Sequence, residues 1–296
     1  MTVSPLVALL DQVADDDASL IRRLCALTAF TQTVDELFAD PPTRTRARIR
    51  PLVARQTAVV RQQLYPALAG HGMGVVRWDQ LSTSVRRQLA EVFRRRIHPA
   101  LTPLAVDSTH PFPQPASLSL NLAVTVLDRR RDTQRFLTVT VPRSVPRLLT
   151  VGAGQFLPVE DLVSAHLGDV LPGSEILTAG CFRVTRARGR GFTCARRLEL
   201  ESATDEWTES ALRQGLAVDE FATYRLDSTE LIGPAFASLI PLVREPARPR
   251  ELRAISSERR TSAARAATAT DPRSGAQRRL PHGPLPAPAA IAARAG

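Results

Sequence analysis

The chain offers five histidines for proton or phosphoryl transfer: His71, His98, His110, His166 and His282. No two of them have the spacing of a metal site such as HExxH. His98 and His110 fall in a proline-rich stretch, where packing or hydrogen bonding is the expected role. His166 falls on an expected helix and should face solvent. Three cysteines, Cys25, Cys181 and Cys194, are scattered and odd in number, which fits free thiols in a reducing compartment. Residues 186–192, RARGRGF, combine three arginines with a phenylalanine. Such a cluster can grip a polyanion. It equally suits a solvated turn between strands, and the turn is the preferred reading. Gly152 and Gly154 alone are too little for a phosphate loop, and neither GxxxxGK[ST] nor GxSxG occurs. Arg94, Arg95 and Arg96 suit the negative end of a helix better than a ligand.

The elements that would position these groups change character near residue 98. Residues 3–39 read as helical, with Asp15, Asp16 and Asp17 ahead of Leu20, Ile21, Leu24, Leu27 and Phe30 at helical spacing. Pro41 and Pro42 end that element. Residues 44–68 form a second amphipathic candidate, with Ile49, Leu52, Val53, Val59, Val60 and Leu64 near one face and a start or kink at Pro51. Gly70, Gly72 and Gly74 break it. After a short extended piece, Ser82 or Thr83 caps a third helix that ends near Arg96. Antiparallel helices on short turns predict a bundle.

Residues 97–113, IHPALTPLAVDSTHPFP, then carry Pro99, Pro103, Pro111 and Pro113. Each fixes its own φ and pushes its predecessor toward extended geometry, so a rigid connector is expected. In the following SLSLNLAV, Leu118, Leu120, Leu122, Val124 and Val126 alternate with Ser119, Asn121, Ala123 and Thr125. That is the period of a strand with one buried face. Residues 135–141 read as its hairpin partner. Beyond them come an extended piece at 156–158, a helix at 159–170 with Glu160 and Asp161 in its first turn, strands at 176–185 and 198–200, and a short helix at 208–216. This mixture predicts an α+β domain.

The strings LTPLAVD, HPFP and LSLNLAV resemble the junction between the N-terminal and head domains of polyphosphate kinase, the histidine-autophosphorylating bacterial type. FTQTVDELF at 30–38 extends the resemblance upstream, and RFLTVTVPRSVPRLL at 135–149, FLPVEDL at 156–162 and FRVTR at 182–186 extend it downstream. It is good from about residue 20 to 186, weaker from 197 to about 231, and then fades. It implies an N-terminal helical domain over 1–97, a proline-rich junction over 98–117 and a shortened head domain over 118–244. It also implies ATP and magnesium as the family's cofactors, neither expected to bind stably to this chain, a phosphohistidine intermediate on the way to polyphosphate, and a homodimer or an intact polyphosphate kinase as partner. The family's reactive histidine belongs to a C-terminal half that finds no match here, and none of the five histidines fits its motif. The expected protein is therefore a truncated homologue, inactive by itself, with no catalytic or metal-binding residue assigned. FTQTVDELF corresponds to the family's nucleotide-contacting string, with Thr33 where asparagine is usual and Asp35 and Glu36 matching. Thr33 is the candidate cofactor-binding residue, although a hydroxyl lacks the amide's paired donor and acceptor. An ordinary helix-surface role is the other reading. After FRVTR the family is usually longer and acidic, so a helix is expected to be missing from the head domain.

A length of 296 residues suggests two domains, at roughly 150 residues per domain. No apolar run is long enough for a membrane span, and the first residues lack the basic start of a secretory signal, so a cytoplasmic location is expected. Net charge is +10, and residues 245–296 supply +6 of it, from ten arginines against four acids. That tail has no aromatic residue and no sustained apolar stripe, so disorder is expected. The whole prediction is an α+β chain: an N-terminal antiparallel helical bundle, an α+β head domain and a disordered C-terminal tail. A shifted reading frame would account for the abrupt composition change near residue 245. The alternative function is a basic polyanion- or nucleic-acid-binding protein acting through its arginine-rich tail.

Overall fold

Prolines punctuate the helical part. The computed structural model describes residues 4–39, 46–106, 111–129, 132–189, 194–227 and 233–243, all within one compact unit, Met1–Glu245. The expectations for His110, His282 and the tail at 245–296 lie outside the described residues. Helices α1 (Ser4–Ala14) and α2 (Leu20–Ala39) are followed by α3 (Arg46–Val59) and α4 (Tyr65–Gly70), and then by α5 (Thr83–Val92). α3 already runs at Arg46, so it does not begin at Pro51, which sits inside it. Two π turns, Val60–Leu64 and Phe93–Ile97, precede Pro66 and Pro99. A proline nitrogen cannot donate to the carbonyl four residues back. The helix widens instead, and the amides of Tyr65 and His98 donate five residues back, to Val60 and Phe93. Ser82 is the N-cap of α5, its hydroxyl accepting from the Val85 amide.

The strands form two sheets. β1 (Gly74–Val75), β5 (Leu148–Gly152) and β6 (Gln155–Pro158) make a small one in the order β1-β6-β5, with β1 parallel to β6. Gly154, at φ +71°, lets the β5–β6 turn lie against this edge, where its carbonyl accepts from the Gly74 amide at 2.8 Å. A Cβ on Gly154 would fall 2.0 Å from the Gly72 carbonyl oxygen. The large sheet contains β2 (Thr102–Val106), β3 (Leu120–Asp128), β4 (Thr133–Thr140), β7 (Ser174–Arg186), β8 (Ala195–Glu201) and β9 (Thr223–Leu226). Its order is β2-β4-β3-β7-β8-β9, antiparallel except for β8–β9. α6 (Val159–Ala165) and α7 (Leu167–Val170) lie between β6 and β7, and α8 (Glu206–Leu216) between β8 and β9. A 3-10 segment, Gly233–Leu242, places Phe236 in a core with Leu24 and Leu27 of α2.

Two sequence expectations change here. Part of the proline-rich connector is a strand: β2 pairs along β4 with Pro103 opposite Val139. It lies at the sheet edge, where a strand tolerates a missing N–H. β3 is buried on both faces rather than one. Leu122 and Val124 join a core with Phe30, Val34 and Phe38 of α2. On the reverse face, Ala123 packs with Phe182, Leu198 and Leu212, under α8. The sheet is therefore a middle layer between the N-terminal helices and α8, an α+β architecture. The small polar residues of β3 are those that bond within this interior: Asn121 donates to the Ser119 carbonyl at 2.9 Å and accepts from the Thr140 hydroxyl at 2.7 Å. Among the described residues, no helix is long and apolar enough to cross a membrane.

Candidate functional site

α2 brings FTQTVDELF against the large sheet. Its buried stripe, Leu27, Phe30, Val34 and Phe38, recurs at three and four residues and is fully core. Asp35 follows Val34 on that packed side and is 8% exposed. It meets two arginines that reach toward α2 from the sheet. Arg183 of β7 donates from both terminal nitrogens to the two Asp35 oxygens, at 3.0 and 3.1 Å. The same guanidinium donates to Glu199 of β8 at 2.6 and 3.0 Å. Arg197 of β8 donates to Asp35 and lies 2.9 Å from the second Glu199 oxygen. Its guanidinium stands 4.7 Å from the centroid of the Phe38 ring, a cation–π contact.

The four side chains are buried and sum to zero charge, so each charged group finds its desolvation offset by a partner. Burial would raise Glu199, but Arg183 and Arg197 hold its carboxyl below the usual range. Burial would lower Arg183, but the Glu199 and Asp35 carboxylates hold it above its ordinary value. Glu199 and Arg183 are thereby both held in their charged forms near neutrality. The network acts as a clamp that sets the position of α2 on the sheet.

Thr33 lies two residues before Asp35, about 200° around the helix from it. It is half-buried, and its hydroxyl donates to the Ala29 carbonyl at 2.8 Å. Its donor is thus in use within α2, while the oxygen retains lone pairs. Glu36 is exposed. Clamp and candidate contact therefore occupy different sides of one helix.

The histidines are placed by packing. His71 Nδ1 lies 3.0 Å from the Ala67 carbonyl. His98 stands beside the Phe93 ring, with centroids 5.7 Å apart. His166, expected on a solvated face, is half-buried: it stacks on Phe93 at 4.6 Å and meets Trp78 edge-on at 5.3 Å. Of the arginine run, Arg186 is 9% exposed and ties the junction down, donating to the Pro115 carbonyl at 2.8 Å and to Gln114 Oε1 at 2.7 Å. Residues 190–193 lie outside the described residues. Arg94 and Arg95 pair with Glu91 on their own helical surface. Among the described residues no group of three or more His, Cys, Asp or Glu side chains could hold a metal ion.

Sequence reasoning did not single out Arg183, Arg197 or Glu199. The available signal was alternation: RLELE places Arg197, Glu199 and Glu201 at every second strand position, which normally marks a solvent face. Only the opposite signs on neighbouring strands, together with an aspartate among helix core residues, pointed inward.

A family model described as the polyphosphate kinase middle domain matches residues 84–188. The polyphosphate kinase of Streptomyces coelicolor is 45% identical over 140 residues, covering 47% of this chain and 19% of that protein. That of Mycobacterium marinum is 33% identical over 246 residues, covering 71% of this chain and 32% of that protein. The crystal structure of polyphosphate kinase from Porphyromonas gingivalis superposes with a TM-score of 0.69 at 19% identity, over 83% of this chain and 40% of that one, and so shares its fold. The chain spans between about a fifth and a third of the length of these sequence relatives. Its matched stretches run through the junction and the large sheet, and the chain belongs to the polyphosphate kinase family.

Proposed function

We propose that these residues are the positioning part of a polyphosphate kinase. In that reading they hold α2, with Thr33 and Glu36, in place for a nucleotide, while transfer of the ATP terminal phosphate through a phosphohistidine needs groups outside the described residues. The observation that carries the reading is the clamp of Asp35, Arg183, Arg197 and Glu199, which fixes the helix bearing the nucleotide-string resemblance to the matched middle domain. The surroundings of His71, His98 and His166 add support, since each is engaged by a carbonyl or an aromatic ring. ATP and magnesium are the cofactors of this reading, and a second copy or an intact polyphosphate kinase is the partner.

The chain incubated with ATP and magnesium should retain no acid-labile phosphate and form no polymer. Equilibrium dialysis should show weak ATP binding, tightened by Thr33→Asn, which restores a paired donor and acceptor, and weakened by Thr33→Val. Phosphate on any histidine would overturn the positioning reading. ATP affinity unmoved by both substitutions would remove Thr33 from it.

A further inference from the structure

A second place on the molecule has the makings of a binding site, independent of the reading above. A cavity of about 350 Å³ lies where the Trp78–Gln80 turn, the start of α6, the middle of β7 and the end of β8 meet. That volume is in the range of small-molecule sites. Its wall carries four carboxylates, Asp79, Glu160, Asp161 and Glu201, one guanidinium, Arg77, and the indole of Trp78.

The charges do not balance. Arg77 pairs with Asp161 at 2.9 Å, and Arg147 pairs with Glu160 at 2.9 Å. Asp161 also accepts from the Trp78 amide at 3.2 Å. Asp79 and Glu201 form no ion pair among the described residues, and Glu201 accepts from the Cys181 amide at 3.1 Å. Glu160 is 3% exposed, yet its Oε2 has no hydrogen-bond partner among the described residues. An oriented, unpaired carboxylate oxygen at that burial is costly unless a donor arrives. Two carboxylates beyond the resident arginines, and an orphaned acceptor, call for a cation with N–H groups.

The cation is organic. A divalent ion needs several oxygens converging at about 2–2.6 Å, and no group of described acidic side chains is close enough to hold a metal. An elongated cation can span carboxylates that a point charge cannot. Arg86 already stands 5.7 Å over the Trp78 ring, so the indole offers apolar contact to a stem rather than a second cation–π face. We propose that this cavity binds a small alkylammonium or guanidinium compound, its N–H donors on Asp79, Glu160, Asp161 and Glu201 and its methylene stem along Trp78.

Trp78 and Trp207 are the two tryptophans of the chain, so Trp207→Phe in the full chain makes Trp78 the reporter. Titration at pH 8 with 1,4-diaminobutane and with agmatine, at constant ionic strength, should give a saturable change in Trp78 fluorescence. Glu201→Gln and the exposed Asp79→Asn should each weaken it at least tenfold with an unchanged circular dichroism spectrum. If Glu201→Gln fails to fold, Asp79→Asn decides. A response no different from sodium chloride would overturn the proposal, as would affinity retained in the folded variants. Tighter saturation by magnesium than by either amine would overturn it in favour of a metal site.

Discussion

Asp35 and Arg183 are 148 positions apart and meet in a two-bond ion pair between α2 and β7. Each is also committed elsewhere, Arg183 to Glu199 and Asp35 to Arg197. The pair is therefore the hub of a network, and removing one member leaves buried charge behind.

Asp35→Ala should destabilise the chain by about 3–5 kcal/mol, since it strips two buried guanidinium groups of a partner. Asp35→Leu combined with Arg183→Met should cost less than the sum of the single changes, because the orphan is removed with its mate. Urea denaturation of the unmodified chain, Asp35→Leu, Arg183→Met and the double variant measures this, with Asp35→Ala alongside. Strict additivity would mean that the two side chains do not interact.

Asp161 and Glu199 pull the pH dependence in opposite directions. Burial pushes Asp161 up from 3.8 to about 6; Arg77 and the Trp78 amide oppose this, and Glu160 and Glu201 add to it. The folded state thus binds this proton more tightly, so the contribution is fully present below 3.8 and is lost as pH rises through 6. Glu199 is held low by its arginines, and its contribution is lost as pH falls below the ordinary glutamate range. Asp161→Asn should flatten the decline in melting temperature between about pH 4 and pH 6. An unchanged slope in that window would sink the assignment.

Gly215 of α8 lies under the junction residue Phe112. A Cβ there would come within 2.1 Å of the ring. Glycine to alanine normally gains about 0.5–1 kcal/mol inside a helix. Here Gly215→Ala should instead lower the melting temperature, and Phe112→Ala in the same chain should recover part of the loss. If Gly215→Ala raises the melting temperature, the junction does not pack on α8 as described.

Cys25 and Cys194 are exposed, whereas Cys181 is buried and its thiol is pushed well up, by burial first and then by Glu160 and Glu201. A thiol reagent at pH 8 should label two cysteines quickly and the third only after denaturant. Fast labelling of all three would contradict the core around β7.

The helical part and the β3–β4 hairpin were legible because one periodicity decided each: three and four residues in α2, two in β3. The Ser82 cap followed from side-chain chemistry. The sequence was silent where pairing is nonlocal. Thr102–Val106 contains a proline and reads as connector until β4 is beside it. β9, four residues long, exists because β8 offers a parallel neighbour. Ala123 and Thr125 look solvent-facing until α8, encoded some 80 residues later, covers them. The clamp was hidden for the same reason, since alternating charges on one strand carry no mark of the carboxylate waiting on a distant helix.

The place of Pro103 in β2 bears on solubility. An outer strand with a full row of backbone donors and acceptors invites another chain to extend the ladder. β2 lacks one of those donors, and it also carries Leu104, 46% exposed. The same proline that stiffens the link between helices and sheet thus also leaves the outermost strand one backbone donor short of a full ladder.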